Sequence, residues 1–126
     1  MPDFLHVEDV LDLHAAQVTL YGGEHGVRDM GLLESAVAQP QATFGGEHLH
    51  KDLFEMAAAY LFHIVQNHPL LDGNKRTGAV AALVFLDING IEIDAPKGSL
   101  YDLTMSVAMG QTDKAQIADF FRKMAH

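Results

Sequence analysis

Two apolar segments, Leu53 to Asn67 and Thr77 to Ile88, are separated by only nine residues, and Pro69 keeps them from running on as one helix. The first carries Leu53, Phe54, Met56, Ala57, Ala58, Ala59, Tyr60, Leu61, Phe62, Ile64 and Val65; the second has Asp87 as its single charge. A helix that is apolar on nearly every side is stable only when other elements surround it. Thr77 to Ile88 is therefore expected as the central buried helix of an all-α bundle, with Gly78, Ala79, Ala81 and Ala82 letting neighbours approach closely.

The rest of the chain supplies the cover. Val7 to Tyr21 repeats apolar residues at helical spacing, with His14 beside them, and Gly22-Gly23 ends it. After a polar link, Asp29 is a good N-cap for a helix from Met30 to Gln39, stopped by Pro40. Gln41 to Lys51 has no helical period and is expected as a loop or short β-hairpin. Its Phe44-Gly45-Gly46-Glu47-His48 echoes Tyr21-Gly22-Gly23-Glu24-His25, which we read as coincidence between two glycine-broken loops. Asp52 with Glu55 three residues on has the form of a capping box for Leu53 to Asn67. Asn89-Gly90 suits a left-handed helix end, and Ile91 to Asp94 alternates like a short strand. A helix from Pro96–Ser99 to Met109 follows, and Thr112 or Asp113 caps a last one to Met124. The expectation is a single domain over residues 1–126, with about six helices and one core.

Composition removes several function classes. A chain of 126 residues can bury a core without disulfides or a structural metal, and it has no cysteine, which is compatible with a reducing, cytoplasmic setting. Met1-Pro2-Asp3-Phe4 does not open a secretory signal, and the longest apolar run, Ala79 to Leu86, falls well short of the roughly 18 residues that span a bilayer, so no membrane partner is expected. Seventeen acidic against eight basic residues give a formal net charge of −9, which repels phosphate backbones and disfavours direct nucleic-acid binding. Adjacent cations occur at Lys75-Arg76 and at Arg122-Lys123. The second pair suits the last turn of a helix; the first falls near a helix start, where cations are unfavourable unless an anion is bound.

That first pair closes the nine-residue junction His68-Pro69-Leu70-Leu71-Asp72-Gly73-Asn74-Lys75-Arg76. Gly73 permits a turn and Asn74 is a strong N-cap, so the unpaired N–H groups of Lys75, Arg76 and Thr77 are expected to face outward as an anion site. Asp72 suits a divalent cation bridging phosphates, and His68 stands across from the cradle as a base for an incoming hydroxyl. Base, metal carboxylate and anion cradle are the parts that phosphoryl or nucleotidyl transfer requires. Each alone has a bland explanation, as a helix end, an ordinary turn or a solvated pair; together on one short loop they are more specific. A Walker A loop needs a longer glycine-rich approach. His63 and His68 lie roughly 140° apart on a helix at about 100° per residue, which does not suit a shared metal. Ser35, Ser99 and Ser106 lack a glycine-framed elbow, and His25, His48, His50 and His126 read as loop or terminal residues.

The junction resembles the Fic family signature H-P-F-x-D/E-G-N-G/K-R, and more closely that of its Doc branch. Tyr21-Gly22-Gly23, Leu32-Leu33-Glu34, the alanine-rich helix and Phe85-Leu86 through Asn89-Gly90 extend the likeness over most of the chain. The resemblance implies a Fic-type helical fold and transfer of a phosphate-containing group from ATP, with Mg2+, to a protein hydroxyl. It implies His68 as base, Arg76 as a second catalytic residue, Asp72 as magnesium ligand, and Gly73, Asn74, Lys75, Arg76 and Thr77 as the nucleotide-binding turn. It also implies a flap at Gln41 to Lys51, a toxin half of a toxin–antitoxin pair, and arrest of translation through an elongation factor. Leu70 stands where Phe is usual and is expected to anchor the loop equally well. Lys75 replaces the second glycine of adenylyl-transferring members, and Ala79 stands where those members carry a further Arg. Both departures favour transfer of the terminal phosphate; adenylyl transfer is the alternative, and a non-catalytic helical binding module the further one. Thr43 to Glu47 only begins to match the self-inhibitory motif of some members, so a separate antitoxin that folds on binding is expected to cover the site.

Overall fold

The computed structural model describes residues 2–126. Six helices follow in order: α1 (Val7–Tyr21), α2 (Met30–Ala38), α3 (Leu53–Asn67), α4 (Asn74–Ile88), α5 (Ser99–Ala108) and α6 (Lys114–Met124). Between α2 and α3 lie a 3-10 turn, Gln39–Gln41, and an antiparallel hairpin of β1 (Thr43–Phe44) and β2 (Glu47–His48). The all-α expectation, with one short hairpin, is the observed architecture.

Local chemistry sets most helix ends. The carboxylates of Asp29, Asp52 and Asp113 accept from the N–H groups of Leu32, Glu55 and Gln116 at 3.0, 2.8 and 2.9 Å. Gln116 closes a box by accepting from Asp113 N–H at 3.0 Å, whereas Glu55 accepts from Lys51 N–H at 3.1 Å and leaves the box expected at Asp52 open. α2 ends at Ala38, and Pro40 is buried inside the 3-10 turn that follows. The alternating run Ile91 to Asp94 forms only a bridge between Ile93 and Ala125, flanked by Asp94 N–H to Met124 O (2.9 Å) and His126 N–H to Glu92 O (2.8 Å).

The helix with the most neighbours is α3 rather than α4. It packs on α2, α4, α5 and α6, while α4 packs on α1, α3 and α5 and leaves Asp87 and Ile88 exposed. Three consecutive buried alanines, Ala57, Ala58 and Ala59, are small enough for helices to close on α3 from every side. The Tyr60 and Phe85 rings pack tilted at 48°, with centroids 5.1 Å apart, in the fully buried core, where such side chains each contribute about 1.5–3 kcal/mol. The Tyr60 hydroxyl accepts from Leu5 N–H at 2.9 Å, and burial pushes its pKa up to about 12. α4 lies close to α3 at Gly78, where a Cβ would lie 3.0 Å from Val65 Cγ2 and 3.2 Å from the Leu61 carbonyl oxygen.

A titratable cluster joins α3 to α6. Lys114 Nζ donates to His63 Nε2 at 3.0 Å and approaches His50 Nε2 at 3.4 Å. His50 lies in the loop before α3, as expected, but it is buried, with its imidazole turned inward. Burial, the Lys114 ammonium and His50 together lower the His63 pKa to about 4; burial and Lys114 lower that of His50, against a smaller opposing pull from Glu55. Burial also lowers the pKa of Lys114.

Two outcomes test this packing. Leu is a better helix former than Gly, so Gly78→Leu isolates the helix contact: overpacking is expected to reduce unfolding free energy by about 1–3 kcal/mol in urea titrations. For the cluster, both imidazoles bind a proton less readily folded than unfolded, where the value is 6.5. The unfolded chain then holds more protons, and stability present above pH 6.5 is lost as pH falls toward about 4. His63→Leu should flatten part of that decline in unfolding midpoint measured across the same window.

Candidate active site at the α3–α4 junction

The junction is fastened by residues far from it in sequence. His68 caps α3 in the left-handed region, with φ of 51°, and is the one non-glycine residue with positive φ among the described residues. Such a conformation costs about 1–2 kcal/mol, so neighbouring groups must hold it. Arg28 does so: Nε donates to His68 O at 2.7 Å and Nη2 to Asn67 O at 2.9 Å. The backbone N–H groups of Arg28 and Asp29 both donate to Pro69 O, at 2.7 and 3.0 Å. Leu70 then enters the core fully buried, as expected of a residue standing for Phe.

Asn74 holds the turn from inside. Its Oδ1 accepts from Leu70 N–H at 2.9 Å and its Nδ2 donates to Leu70 O at 3.0 Å. It is therefore the first residue of α4 and not the N-cap; Gly73 takes that place, with φ of 78°. The buried Leu70 peptide groups need partners more than the solvent-facing helix start does, and one amide side chain cannot serve both. On the other side, His14, only 3% exposed, donates from Nε2 to the Asp72 carbonyl oxygen at 2.8 Å. A carbonyl only accepts, so this nitrogen carries the proton.

Asp72 is exposed but not free to wander. Its Oδ1 accepts from Gly73 N–H at 2.9 Å and its Oδ2 from Glu24 N–H at 3.3 Å. Gly23 has φ of 115°, which favours glycine, and a Cβ there would lie 2.6 Å from Asp72 Oδ2 and push the carboxylate aside. Leu71 N–H donates to Gly26 O at 3.1 Å. The segment after α1 thus forms one side of the junction.

A cavity of about 580 Å³ opens over the start of α4. His68 and every residue from Leu71 to Arg76 line it; Gln17 and Tyr21 of α1 and Leu100, Tyr101, Thr104 and Met105 of α5 supply the facing walls. Thr77 does not line it. That residue is fully buried, its hydroxyl has no partner among the described residues, and its N–H makes the first helical bond, to Gly73 O at 2.9 Å. The N–H groups ahead of that bond belong to Asn74, Lys75 and Arg76, so the helix-start anion site lies one residue earlier than expected. Lys75 and Arg76 are exposed and neither joins an ion pair among the described residues. The Arg76 guanidinium lies 4.7 Å from the Tyr21 ring centroid, which fixes its direction.

The donor set fits magnesium only in company with phosphate. No group of three or more His, Asp or Glu among the described residues forms a cage, and Asp72 is the one carboxylate lining the cavity. One carboxylate plus phosphate oxygens is the way Mg2+ is commonly held.

The structure brings His68, Asp72, Gly73, Asn74, Lys75 and Arg76 to a single cavity and leaves Thr77 behind it. Sequence reasoning missed His14, Arg28 and the α5 wall. Arg28 sat in a segment read as a polar link, and His14 was one more residue on an apolar helix face. Only Tyr21-Gly22-Gly23, noted as part of the likeness, pointed toward this side of the site.

Comparison with known proteins places the chain in a family. The family model described as Fic/DOC family matches residues 4–86, which include the whole junction. A protein named Toxin Doc, from Mycolicibacterium smegmatis, is 44% identical over 120 residues, covering 94% of this chain and 90% of its own. Protein kinase doc of Escherichia phage P1 is 37% identical over 118 residues, covering 93% of this chain and 91% of its own. On the junction, the helical fold and these matches, the chain belongs to the Fic/DOC family.

Proposed function

We propose that this chain is the toxin half of a toxin–antitoxin pair and transfers the terminal phosphate of ATP to a hydroxyl of a protein target, a translation elongation factor in the cytoplasm. The observation that carries this reading is one cavity lined by an imidazole, a carboxylate, the N–H groups that begin a helix, and two cations without ion-pair partners. The names of the two relatives, one a toxin and one a protein kinase, support it.

In this mechanism the N–H groups of Asn74, Lys75 and Arg76 bind phosphate oxygens, helped by the α4 dipole. Lys75 and Arg76 add charge, and Arg76, directed by Tyr21, stabilises the negative charge that spreads over the transferring group. His68 takes the proton of the target hydroxyl as its oxygen bonds to the terminal phosphorus; the bond from phosphorus to the bridging oxygen breaks, and ADP leaves. Asp72 would hold Mg2+, which when bound neutralises charge between neighbouring phosphates. The exposed hairpin at Thr43–Phe44 and Glu47–His48 offers backbone groups for aligning the target chain. A cognate antitoxin segment covers the site in the resting pair.

Lys75 favours terminal-phosphate transfer over adenylyl transfer, because it lines the cavity at the position where a glycine would let the backbone approach a diphosphate. Incubating the protein with a bacterial lysate and ATP labelled at either the α or the γ position tests the reading. Label from the γ position should enter a protein, and His68→Ala should reduce incorporation by at least about a hundredfold. Incorporation from the α position would contradict it, as would an unchanged rate in His68→Ala.

A further inference from the structure

We propose that Arg28 is a positioning residue for His68, setting the imidazole over the cavity from outside the motif; the proposal rests on the reading of His68 as base. Three observations converge on it. His68 holds a left-handed backbone, which is uncommon for a non-glycine residue. The Arg28 guanidinium takes both carbonyls that flank that conformation, Asn67 O and His68 O, from 40 residues upstream. Those carbonyls end α3, where unpaired acceptors and the negative end of the dipole favour a cation.

The side chain is separable from the fold around it. The N–H groups of residues 28 and 29 hold Pro69 O through backbone alone, and Asn67 Nδ2 donates to Leu32 O at 3.1 Å, so α2 and α3 stay joined without the guanidinium. Asp29 caps α2 independently. What is lost with the guanidinium is the grip on the His68 peptide. Relaxation of φ from 51° toward the negative region turns the Cα–Cβ bond, and with it the imidazole, away from the attacking hydroxyl.

The test uses the purified full chain with Arg28→Met, Arg28→Lys and Arg28→Ala, assayed for transfer from labelled ATP. Arg28→Met should lower kcat on the order of tenfold to a hundredfold while KM for ATP stays within about twofold. Arg28→Lys, able to make one of the two bonds, should fall between, and millimolar guanidinium should restore part of the turnover of Arg28→Ala. Unchanged kcat in Arg28→Met would overturn the proposal, and so would a loss explained by unfolded protein and not rescued by guanidinium. If the wild type transfers no label at all, the reaction reading fails by itself. The His68 Cε1–H signal in NMR spectra then decides: a shifted or broadened signal in folded Arg28→Met supports positioning, and an unchanged one overturns it.

Discussion

The amide of Asn74 satisfies both backbone groups of Leu70 in a place water does not reach, and the rest of the site depends on that pair of bonds. A buried peptide group left unpaired costs about 1–3 kcal/mol, so the two bonds together decide whether the turn closes. Closing it places Leu70 in the core and Gly73 at the helix cap. That in turn sets the start of α4, with Asn74, Lys75 and Arg76, at the cavity wall. Arg28 and His14 act on the same turn from outside, one at the α3 carbonyls and one at the Asp72 carbonyl. The loop is thereby gripped at its beginning, middle and end.

Charge at the start of α4 runs against the acidic balance of the whole chain. The chain carries a net charge of −9, whereas the start of α4 has two cations without ion-pair partners among the described residues and the positive end of a helix dipole. Leu100, Tyr101, Thr104 and Met105 of α5 line the opposite wall, which carries no charge. Asp72 is the local exception, held by two N–H groups that keep its carboxylate in one orientation. A lone carboxylate beside an anion cradle is poorly placed for a bare phosphate and well placed for a metal-bound one.

Much of this was legible in the sequence, for physical reasons that differ by element. α1 begins and ends at the expected residues because apolar period and the Gly22-Gly23 stop act within one turn of chain. Asp29, Asp52 and Asp113 cap helices because a cap needs only the next three residues. The junction motif placed six of its assigned residues in one cavity. What escaped was set by contacts across the fold. Asn74 looked like a cap until its competing partner, Leu70, was known to be buried. Arg28 lies 40 residues from His68, His14 lies 58 from Asp72, and Lys114 lies 51 from His63, distances over which no local pattern operates. The choice of α3 over α4 as the hub depended likewise on how many helices close on each. Apolarity alone does not count neighbours.

The central claim is that the start of α4 is built to hold the phosphate that reacts. Its most direct test is a crystal structure of the protein with Mg2+ and a non-hydrolysable ATP analogue. The account predicts the terminal phosphate against the N–H groups of Asn74, Lys75 and Arg76, facing the His68 imidazole. An α-phosphate in that position, or a nucleotide seated away from the α3–α4 junction, would contradict it.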